Sequence, residues 1–283
     1  MYQIVYKKPL NPTVTLMDIY APLVARKAKA GQFIILRVDE EGERIPLTVA
    51  GYDREAGTVR IIFQIVGATT EKLNQKQAGE YISDFVGPLG KETKLDGLKK
   101  VCIVVGGVGC AIALPIAQAL HEMGAEVTSV IGFRSKDLLI LEDEFRNAST
   151  RLVVMTDDGS YGRQGNVCVP LNEFFANGET FDEVITIGPL VMMKFVVEET
   201  RPTGIPCTVS MNPIMIDGTG MCGGCRLTLL QEGKRVTKFA CVDGPDFNGY
   251  EVDFDEAMSR GRMYFDFERK SHDAACNLFK KAE

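Results

Sequence analysis

Between residues 217 and 225 the chain reads Asp-Gly-Thr-Gly-Met-Cys-Gly-Gly-Cys, and a further cysteine, Cys241, follows after 15 residues. With glycines at 218, 220, 223 and 224 the run cannot sustain a helix or a strand, so it must be a loop. Its lack of Cβ atoms lets it turn tightly and bring backbone N–H groups close to whatever it surrounds. It also carries Asp217, Cys222 and Cys225 within nine residues, all of which bind metals once deprotonated. Any fold for this chain has to support that loop and return Cys241 to it.

The intervals between these residues are four, two and then a long gap. They match the C-x4-C-x2-C…C spacing of plant-type [2Fe–2S] sites, with Asp217 in the first place. Three thiolates and a carboxylate complete two tetrahedral irons, and cluster sulfurs accept the N–H bonds that a glycine loop can offer. Two alternatives stay open at this point. Cys207 with Cys222, Cys225 and Cys241 could hold a structural zinc, and Cys207 rather than Asp217 could be the fourth cluster ligand. Asp217-Gly218 is, on its own, also an ordinary turn.

At 283 residues and 45% hydrophobic, the chain has room for two core-forming domains and a smaller third unit. A net charge of −6 argues against nucleic acid or an anionic membrane surface as a partner. The N-terminus lacks the charged-then-apolar pattern of a signal peptide, and no apolar run reaches the ~18 residues of a membrane span. The expectation is a cytoplasmic protein whose eight cysteines serve as core residues and metal ligands rather than disulfides.

Short β-rich runs at Val14 to Tyr20, Phe33 to Val38 and Thr58 to Val66 predict a small antiparallel barrel over residues 1–90. After a Lys-rich link, buried apolar runs at Val101 to Val105, Val127 to Phe133, Leu152 to Thr156 and Val184 to Ile187 alternate with helical stretches. They predict an α/β nucleotide-binding domain over 99–205. A compact cysteine module over 206–250 and a helical tail over 251–283 complete the division.

Several segments at the ends of these runs are suited to cofactors. Arg44, Pro46, Leu47, Thr48, Val49 and Ala50 close one barrel strand, and Gln64, Ile65, Gly67, Thr69 and Thr70 close another. They resemble the two flavin-binding segments of the ferredoxin-NADP reductase superfamily. That resemblance implies FAD, with the first segment along the isoalloxazine and the second at the pyrophosphate. Thr69 stands where the family carries a second glycine, and Thr69-Thr70 also suits a plain helix cap. Gly106, Gly107, Val108, Gly109 and Cys110 follow a buried strand and resemble the superfamily's nicotinamide-nucleotide loop, while Gly188, Pro189 and Met192 resemble its Gly-Pro-x-x-Met segment. Arg134 and Ser135 could clasp a 2′-phosphate, whereas Asp157 and Asp158 could accept ribose hydroxyls, which leaves NAD against NADP open.

Taken in order, residues 1 to 250 resemble the small subunit of NADH-dependent reduced ferredoxin:NADP+ oxidoreductases, a family also labelled sulfide dehydrogenase or dihydroorotate dehydrogenase electron-transfer subunit. The resemblance implies a barrel FAD domain, an α/β NAD(H) domain and a [2Fe–2S] module. It further implies a larger glutamate-synthase-like flavoprotein partner with FAD and [4Fe–4S] clusters, through which ferredoxin would be reached. Asp217 is the residue that separates this branch from the true dihydroorotate dehydrogenase subunit, the competing assignment. No acid, base or nucleophile is required of the chain, because its residues would position cofactors and tune them. A zinc-stabilised nucleotide-binding module without a redox role is the alternative of another class.

Overall fold

The computed structural model describes residues 1–262. Eight strands and two helices come first: β1 (Tyr2–Asn11), β2 (Val14–Tyr20), α1 (Pro22–Lys27), β3 (Phe33–Arg37), β4 (Arg44–Thr48), β5 (Gly51–Asp53), β6 (Thr58–Gln64), α2 (Ala68–Gln75), β7 (Tyr81–Ile82) and β8 (Asp84–Leu89). They form two antiparallel sheets, ordered β5-β6-β2-β1-β7 and β4-β3-β8. Alternation along each strand sends Met17, Ile19, Ile34, Leu36, Ile61 and Phe63 into a shared core between the sheets.

The second half opens on β9 (Lys100–Gly106) and α3 (Gly109–Glu122), followed by β10 (Glu126–Phe133), α4 (Glu142–Asn147), β11 (Arg151–Thr156), β12 (Arg163–Gln164), α5 (Cys168–Ala176), β13 (Glu183–Ile187), α6 (Leu190–Thr200) and β14 (Cys207–Ser210). Then come the hairpin β15 (Arg226–Gln231) and β16 (Lys234–Phe239), a short α7 (Ala240–Asp243), β17 (Asp246–Asn248) and α8 (Phe254–Gly261). One seven-stranded sheet, ordered β12-β11-β10-β9-β13-β14-β17, is parallel except for its last strand. Its central strands are buried on both faces, which is why Val101 to Val105 reads as an unbroken apolar run.

The cysteine-rich segment grows from the edge of this sheet. Strands β14 and β17, which flank it, extend the nucleotide sheet, so a division at 205/206 passes in front of two of that sheet's own strands. Helix α8 lies in the segment expected to form a helical tail, and residues 263–283 of that tail fall outside the described residues. No helix among the described residues is long and apolar enough to cross a membrane.

Barrel and nucleotide sheet meet across an apolar seam. Val14 and Leu16 on β2, Ile62 on β6 and Ala50 turn outward from the barrel into a cluster with Leu95, Val105, Ala111 and Ile187. Burying a side chain such as Leu16 or Ile62 contributes about 2 kcal/mol. Asn11 Nδ2 adds a donor to the Leu138 carbonyl at 3.0 Å.

Candidate functional site

Strand order runs outward from β9 in both directions, through β10 on one side and β13 on the other, so a crevice opens between the carboxyl ends of β9 and β13. The glycines there are demanded by space. A Cβ on Gly106 would lie 2.5 Å from Met192 Sδ and 3.1 Å from Pro189 Cδ; one on Gly109 would lie 2.6 Å from the Ile187 carbonyl oxygen. A Cβ on Gly188 would sit 3.1 Å from Gly106 N. The two sequence segments, 106–109 and 188–192, thus pack directly on one another. Gly107, at φ +56°, faces open space instead, with its N–H donating to the Gly132 carbonyl at 2.9 Å. Val108 precedes the first turn of α3. The Cys110 thiol is fully buried among apolar side chains, which pushes its pKa up.

The next two strand ends come together as well. The Asp157 N–H donates to the Phe133 carbonyl at 3.0 Å and the Asp158 N–H to that of Arg134 at 3.2 Å. Ser160 ties the loops: its hydroxyl donates to Asp158 Oδ1 at 2.6 Å and accepts from the Lys136 N–H at 2.8 Å. The Ser160 hydroxyl, with its backbone N–H, holds the Asp158 carboxyl below the usual carboxylate range. Arg134, Ser135, Asp157 and Asp158 therefore share one rim, an arrangement suited to a ribose and its neighbouring phosphate.

On the barrel, Arg44 to Thr48 form β4 against β3, with Val49 and Ala50 buried just beyond it. Gln64 ends β6, and the Ile65 N–H donates to the Thr13 carbonyl at 2.8 Å. Gly67 precedes α2, where a Cβ would meet nothing within 4 Å, so the helix N-terminus is open. The Thr70 hydroxyl accepts from the N–H groups of Val66 and Gly67 and donates to the Gly67 carbonyl, so it serves as a helix cap. The Thr69 hydroxyl reaches Glu43 Oε2 at 3.3 Å, joining the second segment to the start of the first. Glu43 was not singled out from sequence, because only the fold brings it across.

In the cysteine loop the ligand candidates gather in two pairs. Cys225 and Cys241, each 1% exposed, bring their sulfurs to 3.1 Å. Asp217 Oδ2 accepts from the Cys222 N–H at 3.0 Å, while its other oxygen accepts from the N–H of Thr219 at 3.1 Å and from the Thr219 hydroxyl. These donors, the Thr219 hydroxyl foremost, lower the Asp217 pKa to about 2, and burial pushes that of Cys241 up to about 12. Glycines 218, 220 and 223 all adopt φ between +69° and +85°. Among the described residues no three His, Cys, Asp or Glu side chains are gathered to hold a single metal ion. Cys207 lies within β14, its thiol beside Thr200 and Glu183. Two separated ligand pairs suit a two-iron cluster better than one four-coordinate zinc.

Comparison with known proteins adds the family. Residues 212–253 match the iron–sulfur cluster binding domain of dihydroorotate dehydrogenase B. A Thermotoga maritima protein described as a dihydroorotate dehydrogenase B (NAD(+)) electron transfer subunit homolog is 45% identical over 271 residues, covering 96% of this chain and 94% of its own length. The chain belongs to the dihydroorotate dehydrogenase B electron-transfer-subunit family. A Clostridium beijerinckii protein described as an uncharacterized protein in the adh 3′ region is 50% identical over 272 residues, covering 93% of this chain and 90% of its own length. The chain also superimposes on a chain of the NADH-dependent reduced ferredoxin-NADP oxidoreductase, a structure solved for insight into flavin-based electron bifurcation. That match has a TM-score of 0.90 at 44% identity and covers 98% of both chains. Family membership brings the FAD barrel, the NAD-binding α/β domain and the cluster-binding segment together in one oxidoreductase subunit.

Proposed function

We propose that this chain is the NAD(H)-side electron-transfer subunit of a flavin and iron–sulfur complex of the NADH-dependent reduced ferredoxin:NADP+ oxidoreductase type. The single observation that carries the reading is the placement of the cysteine loop. It grows from the nucleotide sheet yet lies against barrel strands β3 and β8, touching both cofactor-bearing halves of the chain. When bound, a flavin exchanges electrons in pairs with NAD(H) and singly with an iron–sulfur cluster.

The residues divide the work accordingly. Gly106, Gly107, Val108 and Gly109, with Gly188, Pro189 and Met192, would admit the nicotinamide end of NAD(H); Arg134, Ser135, Asp157 and Asp158 would hold its adenosine ribose. Arg44 to Ala50 would line the flavin ring. Gly67, with the open N-terminus of α2, would receive the pyrophosphate, its loop held in shape by the Thr70 cap. Asp217, Cys222, Cys225 and Cys241 would hold the cluster. Ile214, Ile216, Met221 and Val242, exposed around that loop, offer an apolar rim for a larger subunit. We take that subunit to be the glutamate-synthase-like flavoprotein with [4Fe–4S] clusters. A cytoplasmic setting suits the seven described cysteines, all of them free thiols.

Anaerobic co-purification with cofactor quantification tests this reading. The expected outcome is FAD, cluster iron and a large flavoprotein in one complex. A dihydroorotate-oxidising partner would move the chain to the competing assignment, and colourless protein would end the redox reading.

A further inference from the structure

Strand β3 has two unlike faces. Ile34 and Leu36 point into the barrel core, whereas Phe33 and Ile35, 3% and 1% exposed, join an apolar cluster that includes Met215, Cys225 and Cys241. Both ends of the cysteine module rest on that second face. At Gly218, φ +79°, a Cβ would fall 2.9 Å from Ile35 Cδ1 and 2.7 Å from Leu89 Cδ1. The backbone next to Asp217 therefore lies directly on β3 and β8, with no room for a side chain between. Beyond Cys241 the second seat is formed by Gly90, where a Cβ would meet Phe33 Cε1 at 2.7 Å and Pro245 Cδ at 3.1 Å. The Lys91 N–H donates to the Gly244 carbonyl at 2.7 Å and fixes this seat.

The cross-strand neighbours of the same two residues belong to the flavin segment: Phe33 pairs with Thr48 and Ile35 with Pro46. Residues directly opposed in an antiparallel pair share a face and stand about 5 Å apart at Cβ. One strand thus carries the cysteine module on its side chains and the flavin segment along its edge.

We propose that Phe33 and Ile35 are positioning residues, forming a fixed spacer that sets the separation between the flavin segment and the cluster loop. The inference rests on the electron-transfer reading above. Neither side chain has an atom that ligates iron or hydrogen-bonds a flavin, so their contribution is distance alone. Close packing at a buried contact leaves little freedom for that distance to drift. The contact at Gly218 also gives that glycine a second reason to be one, beyond its backbone angle.

Ile35→Val removes only the Cδ1 atom that meets Gly218, Ile35→Ala removes more, and Ile34→Val makes the same small deletion on the barrel side. The holoprotein complex would be mixed anaerobically with NADH, following flavin bleaching and cluster bleaching separately, alongside iron content and the electron paramagnetic resonance signal of the reduced cluster. Flavin bleaching, iron and flavin content are expected to hold. Cluster bleaching is expected to slow about threefold in Ile35→Val and about tenfold in Ile35→Ala, given how steeply transfer falls with misplacement. Ile34→Val should match the parent chain. Unchanged cluster bleaching in the Ile35 variants would overturn the proposal, as would equal slowing in Ile34→Val. If Ile35→Ala does not fold, Ile35→Val decides alone. Parent protein lacking iron and flavin would instead defeat the electron-transfer reading itself, a result distinct from either.

Discussion

Two glycine-rich turns, 106–109 and 217–225, are shaped by different forces. At 106–109 Gly106 and Gly109 are wedged against Met192 and the Ile187 backbone, behind a strand whose Val101 to Val105 are all 0% exposed. At 217–225 the glycines are called for mainly by positive φ, one carboxylate collects the loop's donors, and Met221 stands 89% exposed. The nucleotide turn is complete as the chain folds. In the cysteine loop Asp217 lies beside Cys222 and Cys225 beside Cys241. Steric exclusion dominates at one turn; backbone angle and the Asp217 hydrogen bonds dominate at the other.

The sharpest way to break this contrast is Gly109→Ala. Its Cβ would strike a backbone oxygen, which no rotamer change relieves, so a loss of about 3 kcal/mol or more is expected, read as a lower denaturant midpoint with NADH binding abolished. Next in size is Cys225→Ser, which should abolish cluster iron and its visible bands. Flavin content and NADH-dependent flavin reduction should stay near the parent level, because the two sites form independently. Asp217→Ala withdraws the acceptor of three donors. Faster amide exchange is expected at Thr219 and Cys222 with none gained at Gly107. Gly107→Ala, strained in backbone angle but open in space, should cost only about 1 kcal/mol in the same denaturation assay.

A pH titration distinguishes the seam between the regions. The Thr93 hydroxyl donates to Asp246 Oδ2, and the Ser210 hydroxyl lies close enough to favour the ionised carboxyl, though Oδ1 has no hydrogen bond of good geometry among the described residues. Burial raises this carboxyl above its ordinary 3.8, so the folded chain keeps a proton that the unfolded chain has released. Its contribution is therefore most favourable below about pH 4 and declines as pH rises through the raised value. Asp246→Asn should flatten that part of the stability profile; an unaltered slope would assign it to other groups.

Much of this architecture was legible because it is local. The apolar run ending in Gly106 marks a buried strand and the turn after it, and the spacing of Cys222, Cys225 and Cys241 marks a ligand loop wherever it sits. What sequence left open depends on contacts across the chain. The Thr70 hydroxyl suited either a helix cap or a phosphate, and only the fold shows its bonds spent on the cap. Cys207 and Asp217 compete for the fourth ligand place in the sequence, and the fold sets Cys207 in a strand and Asp217 in the glycine loop beside Cys222. Phe33 and Ile35 read as ordinary barrel residues, since strand periodicity gives the face a side chain uses but not what covers it.

The insertion of the cysteine segment between β14 and β17 has a practical side for anyone dividing this protein. β17 closes the sheet by pairing antiparallel with β14. A fragment cut after residue 210 to isolate the reductase half would leave β14 as a bare rim of unpaired amides and carbonyls, a ready template for self-association. Excising residues 211–245 and bridging the gap would keep that rim covered, making deletion from the middle of the chain gentler than trimming its end.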